Sequence, residues 1–470
     1  MALPDDGLVV VLKQDCPTCR LVAPVLPGLG ATVVSQDDPA FPPGVEVLDD
    51  TALDTSLALE IDVVPTLLRR EGGRETARTE GWDRARWREI AGVADLGADL
   101  VDWKPGCGSR THDPAVAEEV LVRTRGHELA ARRVELAGLE DEAEALFDRG
   151  WTDGLPVVAP TPPRVLRMLA GTTRAPDEVV AVVPPNLVPA TVEKVAINAV
   201  LAGCRPEYLP VVLAAVEAAC DTEFNAHGLL ATTWGAAPAV LVHGPVARRI
   251  GVNAGGNALG QGTRANSTIG RALQLVIRNV GGGRPGEVDR ATLGQPGKVG
   301  LCFAEDEQGS PWEPLSVSRG VPAGASAVTV FAAEGVRGVV DQISRTPESL
   351  ARTIAGALRG VAHPKLAGGF DATLVLSPEH LAVFADAGWD RARFTAALDE
   401  LLLLAPEELA RGADGIEEGM PSPRRARPKF RPGGLLVAVA GGGAGKFSAV
   451  IGGWVGGPGG SSPVTRVIEE

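Results

Sequence analysis

The feature that most constrains this chain is near its start. The apolar run Gly7-Leu8-Val9-Val10-Val11-Leu12 ends in Asp15-Cys16-Pro17-Thr18-Cys19-Arg20, and an amphipathic stretch over 21–29 follows. A strand that stops at C-x-x-C and runs into a helix places the first thiol at a helix N-terminus, where unpaired N–H groups and the helix dipole favour the thiolate. That geometry is a dithiol redox site. A structural zinc site needs four ligands, and no second C-x-x-C and no paired-histidine spacing occurs. A purely structural disulfide across two intervening residues closes too small a loop to gain much entropy.

A second motif fits the first. Ile61-Asp62-Val63-Val64-Pro65-Thr66-Leu67-Leu68 reads as a strand reached through an X-Pro bond. With the dithiol ahead of it, 1–95 resembles the thioredoxin family, which implies a mixed sheet with helices on its faces, a cis Pro65 lying against the dithiol, and roles for Cys16 and Cys19. Further strands are expected at 31–35, 45–48, 66–69 and 76–80, and helices at 56–61 and 82–90. The chain departs from the family in having Asp15 before the first cysteine and Pro-Thr between the two, so the family's potential does not carry over.

At 470 residues the chain is too long for one core. Three regions are expected: the dithiol domain 1–95, a linker loop and charged helical stretch over 96–149, and a larger α/β domain over 150–470. In the last, apolar runs at 179–183, 239–243, 300–304, 327–332, 372–376 and 434–440 read as strands. Helices are expected at 191–202, 209–219, 267–279, 347–360, 378–386 and 391–404, two of them opened by Thr346-Pro347 and Ser377-Pro378. The fold class is α/β.

Gly150-Trp151-Thr152-Asp153-Gly154-Leu155-Pro156-Val157-Val158 and the stretch from Ala190 to Pro210, which contains Glu193-Lys194-Val195-Ala196-Ile197-Asn198, resemble a bacterial family whose members accompany small proteins or selenoproteins carrying Sec/Cys-Gly-Ser-Cys (UGSC-type). The resemblance spans roughly 100–470. It implies a redox setting and a small UGSC-type partner and, by analogy with selenoprotein reductases, reductive cleavage of a carbon–heteroatom bond.

The net charge of −14 and the lack of a broad basic footprint exclude a nucleic-acid partner. The acidic start is not a secretory signal, and no stretch reads as a membrane span. Six cysteines without such a signal read as reduced thiols in a cytoplasmic protein.

Cys107, in Pro105-Gly106-Cys107-Gly108-Ser109-Arg110-Thr111-His112, is a candidate nucleophile or exchange partner, with Arg110 and His112 expected to lower its pKa. The competing reading is a linker cysteine with incidental neighbours. Cys204, Cys220 and Cys302 read as buried structural thiols. The polar run from Asn253 to Thr268, with Asn257, Arg264 and Asn266, leads into a helix and reads as an anion site or a capped turn. Gly441-Gly442-Gly443-Ala444-Gly445-Lys446 fails the Walker pattern but suits a substrate-binding loop through its N–H groups and Lys446. Lys194 and His227 are further candidate substrate contacts, each with a structural alternative. No resident metal and no tightly bound cofactor are expected beyond a redox-active disulfide.

The leading expectation is a thiol-dependent oxidoreductase in which the Cys16/Cys19 dithiol serves chemistry on a small anion in the larger domain. Two alternatives stand beside it: a module that binds and reduces a small UGSC-type protein, and a thiol enzyme transforming sulfur, selenium or soft-metal compounds without net reduction. Expected partners are the small anion, an external thiol reductant, the small UGSC-type protein and a second copy of the chain.

Overall fold

The computed structural model describes residues 3–138, 140–410, 412, 418, 421 and 423–469. It is an α/β protein in two compact units, Met1–His127 and Glu128–Glu470. The division thus falls at His127 rather than after 95, and the 96–127 part of the expected linker belongs to the first unit. Among the described residues no helix is long and apolar enough to cross a membrane.

In the first unit, β1 (Gly7–Leu12), β2 (Thr32–Ser35), β3 (Val47–Asp49), β5 (Thr66–Glu71) and β6 (Arg74–Glu80) form a sheet of order β3-β2-β1-β5-β6. β1, β2 and β3 are parallel, whereas β5 and β6 join antiparallel. Val9–Leu12 are fully buried, as expected of a central strand covered on both faces. The crossover to β2 begins with the helix Pro17–Val22 and tightens into the 3-10 segment Ala23–Gly28. The helix expected over 21–29 therefore starts earlier and loses its α ladder where Pro24 and Pro27 have no N–H to give.

Two-residue strands tie down the stretch expected to be a free loop. β4 (Val63–Val64) pairs with β9 (Cys107–Gly108), and β7 (Trp82–Asp83) with β8 (Trp103–Lys104). Trp82 and Trp87 are buried, and their indole N–H groups donate to Val101 O and Gly81 O at 2.6 and 2.9 Å.

The charged stretch 117–149 is not continuous helix. It contains the helices Pro114–Arg125 and Glu142–Asp148. Between them the Ala130 and Ala131 N–H groups donate to the buried Glu193 carboxylate, at 3.1 and 3.0 Å, instead of to a helical ladder.

The second unit has four layers. After the small hairpin β10 (Val179–Val183) and β11 (Val188–Thr191), the strands β12 (Ala237–His243), β13 (Leu301–Ala304), β14 (Ala327–Ala333) and β21 (Val464–Val467) form one sheet, of order β13-β12-β14-β21. The other, of order β15-β20-β16-β19, is built from β15 (Val336–Val340), β16 (Phe370–Leu376), β19 (Leu435–Val439) and β20 (Phe447–Val455). A short pair, β17 (Leu403–Leu404) and β18 (Arg427–Pro428), lies apart.

Alternation along the strands separates the layers. Leu241, Phe303 and Phe331 of one sheet meet Val375, Ala438 and Ile451 of the other. The intervening Val240, Val242 and Val330 pack on the helices Val192–Ala202, Leu209–Ala219 and Arg264–Asn279. Leu374, Val437 and Val450 pack on Pro347–Arg359, Pro378–Ala385 and Arg391–Leu401. Strands buried on both faces read as unbroken apolar runs, which is why several were visible in sequence.

β20 was not, because Gly452 and Gly453 interrupt its pattern. A Cβ on Gly453 would lie 2.8 Å from the Asp371 carbonyl oxygen, so that position needs glycine, whereas one on Gly452 would meet Glu334 Oε1 at 2.0 Å and displace that side chain.

A buried charge cluster clips the two halves of this unit together. Glu305 Oε1 accepts from Arg391 Nη2 at 3.0 Å, while Oε2 accepts from Leu315 N at 2.8 Å and lies 3.1 Å from His243 Nδ1. Removing the arginine would strand a buried carboxylate. We therefore expect Arg391→Met to lower the unfolding free energy of the second unit by about 3–5 kcal/mol, read by urea denaturation, with the thiols of the first unit unaffected.

A three-thiol candidate redox site

Cys16 caps the helix Pro17–Val22: its Sγ accepts from Cys19 N at 3.4 Å and lies 3.5 Å from the Val64 carbonyl oxygen. The Val64–Pro65 peptide is cis, and Pro65 is buried. Since Val64 is also the partner of Cys107 in the β4–β9 pair, Cys107 comes to the same place and packs against the core that holds Cys16 and Cys19. Cys107, far along the chain, thus joins the Cys16–Cys19 pair in one cluster.

The segment 103–112 straps itself over this cluster. Thr18 Oγ1 donates to Pro105 O at 2.6 Å, Ser109 N to Asp62 O at 2.9 Å, and Thr111 Oγ1 to Ile61 O at 3.0 Å. Buried Gln36 holds the far end, donating to Ser109 Oγ at 2.7 Å and accepting from Arg110 N at 3.0 Å. Gly106 makes the approach possible, because a Cβ there would stand 2.3 Å from Val63 Cγ1 and 2.8 Å from Val64 O. Gly108, the other flanking glycine, has open space around it.

The electrostatics single out Cys16. Its pKa is lowered to about 5, chiefly by the hydrogen bond from the Cys19 thiol; burial works the other way, and the Cys107 thiol and the N–H groups of Cys19 and Thr18 add to the lowering. Cys19 is pushed far up, by burial and then by its bond to Cys16. Cys107 is also raised, by burial first and by the bond to and charge of Cys16 next, while Lys13 pulls it down. Cys16 and Cys19 are 0% exposed, whereas Cys107 is half-buried. Solvent therefore reaches the cluster at Cys107, and the negative charge sits at Cys16.

The expected activation of Cys107 by Arg110 and His112 is corrected. Arg110 Nη1 donates to Gln36 O at 2.9 Å, and His112 Nε2 pairs with Asp62 Oδ1 at 2.8 Å on the surface. Both build the strap. The close approach that glycines beside Cys107 permit is met at Gly106, whereas Thr18, Gln36 and Lys13 carry little local signal; for Gln36 it is a polar residue directly after the β2 run.

The other candidates lie in the second unit. Asn266 is a buried staple, accepting from Asn253 N at 2.7 Å and donating to Asn253 O and Ala258 O at 3.1 Å. Asn257 closes an exposed turn onto Gln261 O at 2.6 Å. Arg264 donates to Gly203 O at 2.8 Å, and Lys194 Nζ to Pro189 O at 3.0 Å. His227 is exposed at the start of the helix Ala226–Ala231 rather than in a pocket wall. The two glycine-rich loops do meet: Gly441 N donates to Ala254 O at 2.8 Å. Lys446 has its main-chain N on Glu379 Oε2 at 2.7 Å, and the residues after it enter β20 rather than a phosphate loop.

Burial raises Cys204 and Cys220 to about 12 and Cys302 above that. Among the described residues, His243, Glu305 and Glu307 are the one grouping spaced like metal ligands. Their polar atoms already serve Arg391, Leu315 N, Thr329 and Gly244 N.

Compared with protein-family models, curated proteins and solved structures, the chain matches none of them.

Two outcomes follow from the ranking of causes. In the reduced protein, thiolate ultraviolet absorbance should appear with a midpoint of about 5 and vanish in Cys16→Ser. Cys19→Ala should raise that midpoint more than Gly106→Ala, which loosens only the weaker Cys107 bond. The depressed pKa also adds stability that is complete above the ordinary thiol value of 9.0 and is lost as pH falls through about 5. Wild type should therefore gain stability relative to Cys16→Ser between those values, as measured by denaturation of both proteins across the range.

Proposed function

We propose that this protein is a thiol–disulfide oxidoreductase whose three clustered sulfurs pass an electron pair between an external thiol reductant and an acceptor. The observation that carries the reading is geometric: Cys16 caps a helix beside the cis Val64–Pro65 bond with buried Cys19 one turn on, and the pairing of Val64 with Cys107 brings a third cysteine there. The sheet order of the first unit, and Cys16 against the carbonyl of the residue before Pro65, support the thioredoxin resemblance. Six free thiols suit a reducing compartment such as the cytoplasm.

With a disulfide acceptor, Cys107 reacts first because solvent reaches it, through the small fraction that ionises against its raised pKa. Its thiolate attacks one acceptor sulfur, forms a mixed disulfide and releases the other half as a thiolate, its own proton passing to solvent. Cys16 then attacks the Cys107 sulfur, and the second acceptor thiolate leaves. Once Cys16 is in a disulfide its charge is gone, and so is part of what kept Cys19 protonated. Cys19 loses its proton and attacks the Cys16 sulfur, freeing Cys107 and leaving a Cys16–Cys19 disulfide for the external reductant. The acceptor gains the two electrons that the dithiol loses.

We extend the reading to the second unit as the part that takes a small anion, with reductive cleavage of a carbon–heteroatom bond as its chemistry. The cavity that Gln274 and Arg278 line in this unit supports this.

Turnover of glutathione disulfide with dithiothreitol as reductant tests the exchange. Cys16→Ser should slow turnover and, once dithiothreitol is left out, hold a glutathione adduct on Cys107, seen by peptide mass mapping. Undiminished turnover in Cys16→Ser would overturn the proposal, and undiminished turnover in Cys107→Ser would overturn the role given to Cys107.

A further inference from the structure

The motif Gly150-Trp151-Thr152-Asp153-Gly154 is organised on the helix Arg264–Asn279. Arg271 grips Asp153 with two bonds of 2.7 Å. Asn279 Nδ2 donates to Trp151 O at 3.1 Å and to Asn198 Oδ1 at 2.8 Å. On the same helix, Gln274 and Arg278 are four residues apart and so share a face, and both line a cavity of about 180 Å³. Apolar side chains make most of its wall, among them Leu229, Leu230, Pro238, Ile277 and Val299.

One cation of this cavity is left without an anion, because Arg271, outside the lining, takes one of the two acids. Asp153 is taken by Arg271, and Asp289 by Lys298 at 2.9 Å. Arg278 is left over: no acceptor among the described residues meets its guanidinium, and its Nε is buried without a partner. Burial, reinforced by the nearby Arg284 charge, pushes its pKa down, and Asp153 and Glu287 oppose this only through space. The last turn of a helix favours a cation, but a half-buried guanidinium with an unmade bond remains costly. A carboxylate supplies the missing acceptor in the planar geometry that arginine fits.

We propose that this cavity binds a small monocarboxylate, its carboxylate on Arg278 and its short aliphatic part against Leu229, Leu230 and Ile277. At roughly 30 Å³ for each water-sized group, the space suits an acid of about six heavy atoms. The inference rests on the reading of the second unit as the part that takes a small anion, and it assigns that anion a place and a class. Gln274, whose Nε2 is engaged by Pro238 O at 3.2 Å, keeps its carbonyl oxygen for a hydroxyl or amine on the ligand.

The test is a titration of the methyl-labelled full chain with acetate, butyrate and hexanoate, using butyramide as the neutral counterpart of butyrate, followed by NMR. We expect saturable shifts of the Leu229, Leu230, Ile277 and Val299 methyls with at least one acid, and butyramide about tenfold weaker or worse, the scale of one charge-assisted hydrogen bond. Arg278→Gln should lose the same factor with its other methyl signals unmoved, and Arg278→Lys should recover part of it. No saturable shift with any acid, or butyramide binding as tightly as butyrate, would overturn the site. Titrating Cys16→Ser separates the two readings. Binding retained there while wild type lacks thiol turnover keeps the cavity and removes the oxidoreductase reading, whereas turnover without binding does the reverse.

Discussion

One negative charge has to be kept among three sulfurs in a place that water barely reaches, and the first unit is arranged around that requirement. An ionised thiol without solvent is expensive unless hydrogen bonds replace the water. Here the replacements are the Cys19 thiol, the Cys107 thiol and the first free N–H groups of a helix, and together they outweigh burial at Cys16. The same bonds explain why the other two thiols are raised: each serves as a donor, and each faces the charge it stabilises. The strap supplies the third sulfur and covers Cys16, so the acidity of Cys16, set first by Cys19, depends in part on residues almost a hundred positions away.

How much of this was legible in sequence depended on whether the cause was local. The β1 run, the dithiol at a helix start and the strand after Pro65 were legible because each is set by a few consecutive residues. The role of the segment 103–112 was not, since its two-residue strands exist only through partners at 63–64 and 82–83. Arg110 and His112 looked like activators of Cys107 through proximity in sequence, yet the strap's backbone sends both side chains elsewhere, to Gln36 and Asp62. Arg278 carried no signal at all, because its meaning is the absence of a partner and that is a property of the folded chain.

In the second unit, sheet-on-sheet packing explains both the success and the failure of reading strands. Faces apolar on both sides produce conspicuous runs at β12 and β16, while β20, central in its sheet, was hidden by the two glycines that let neighbouring groups come close. The same stacking brings strand ends together, which is how loops at 253–262 and 441–445 touch though nearly two hundred residues separate them. Buried polar residues such as Asn266 and Glu193 are spent on shaping loops, and chemistry-bearing residue types in a loop are therefore a poor guide to ligand contacts.

The strap also decides where the chain can be cut. A piece ending at 95, the boundary suggested by local patterns, would keep the dithiol but lose Cys107, uncover Cys16 and leave the Val63–Val64 edge unpaired, which invites pairing between copies. Such a piece would look like a generic, over-reactive dithiol protein prone to self-association. Dissection of the first unit should retain everything through His127, because Cys107 and the bonds that hold it over Cys16 lie downstream of the sheet that carries the dithiol.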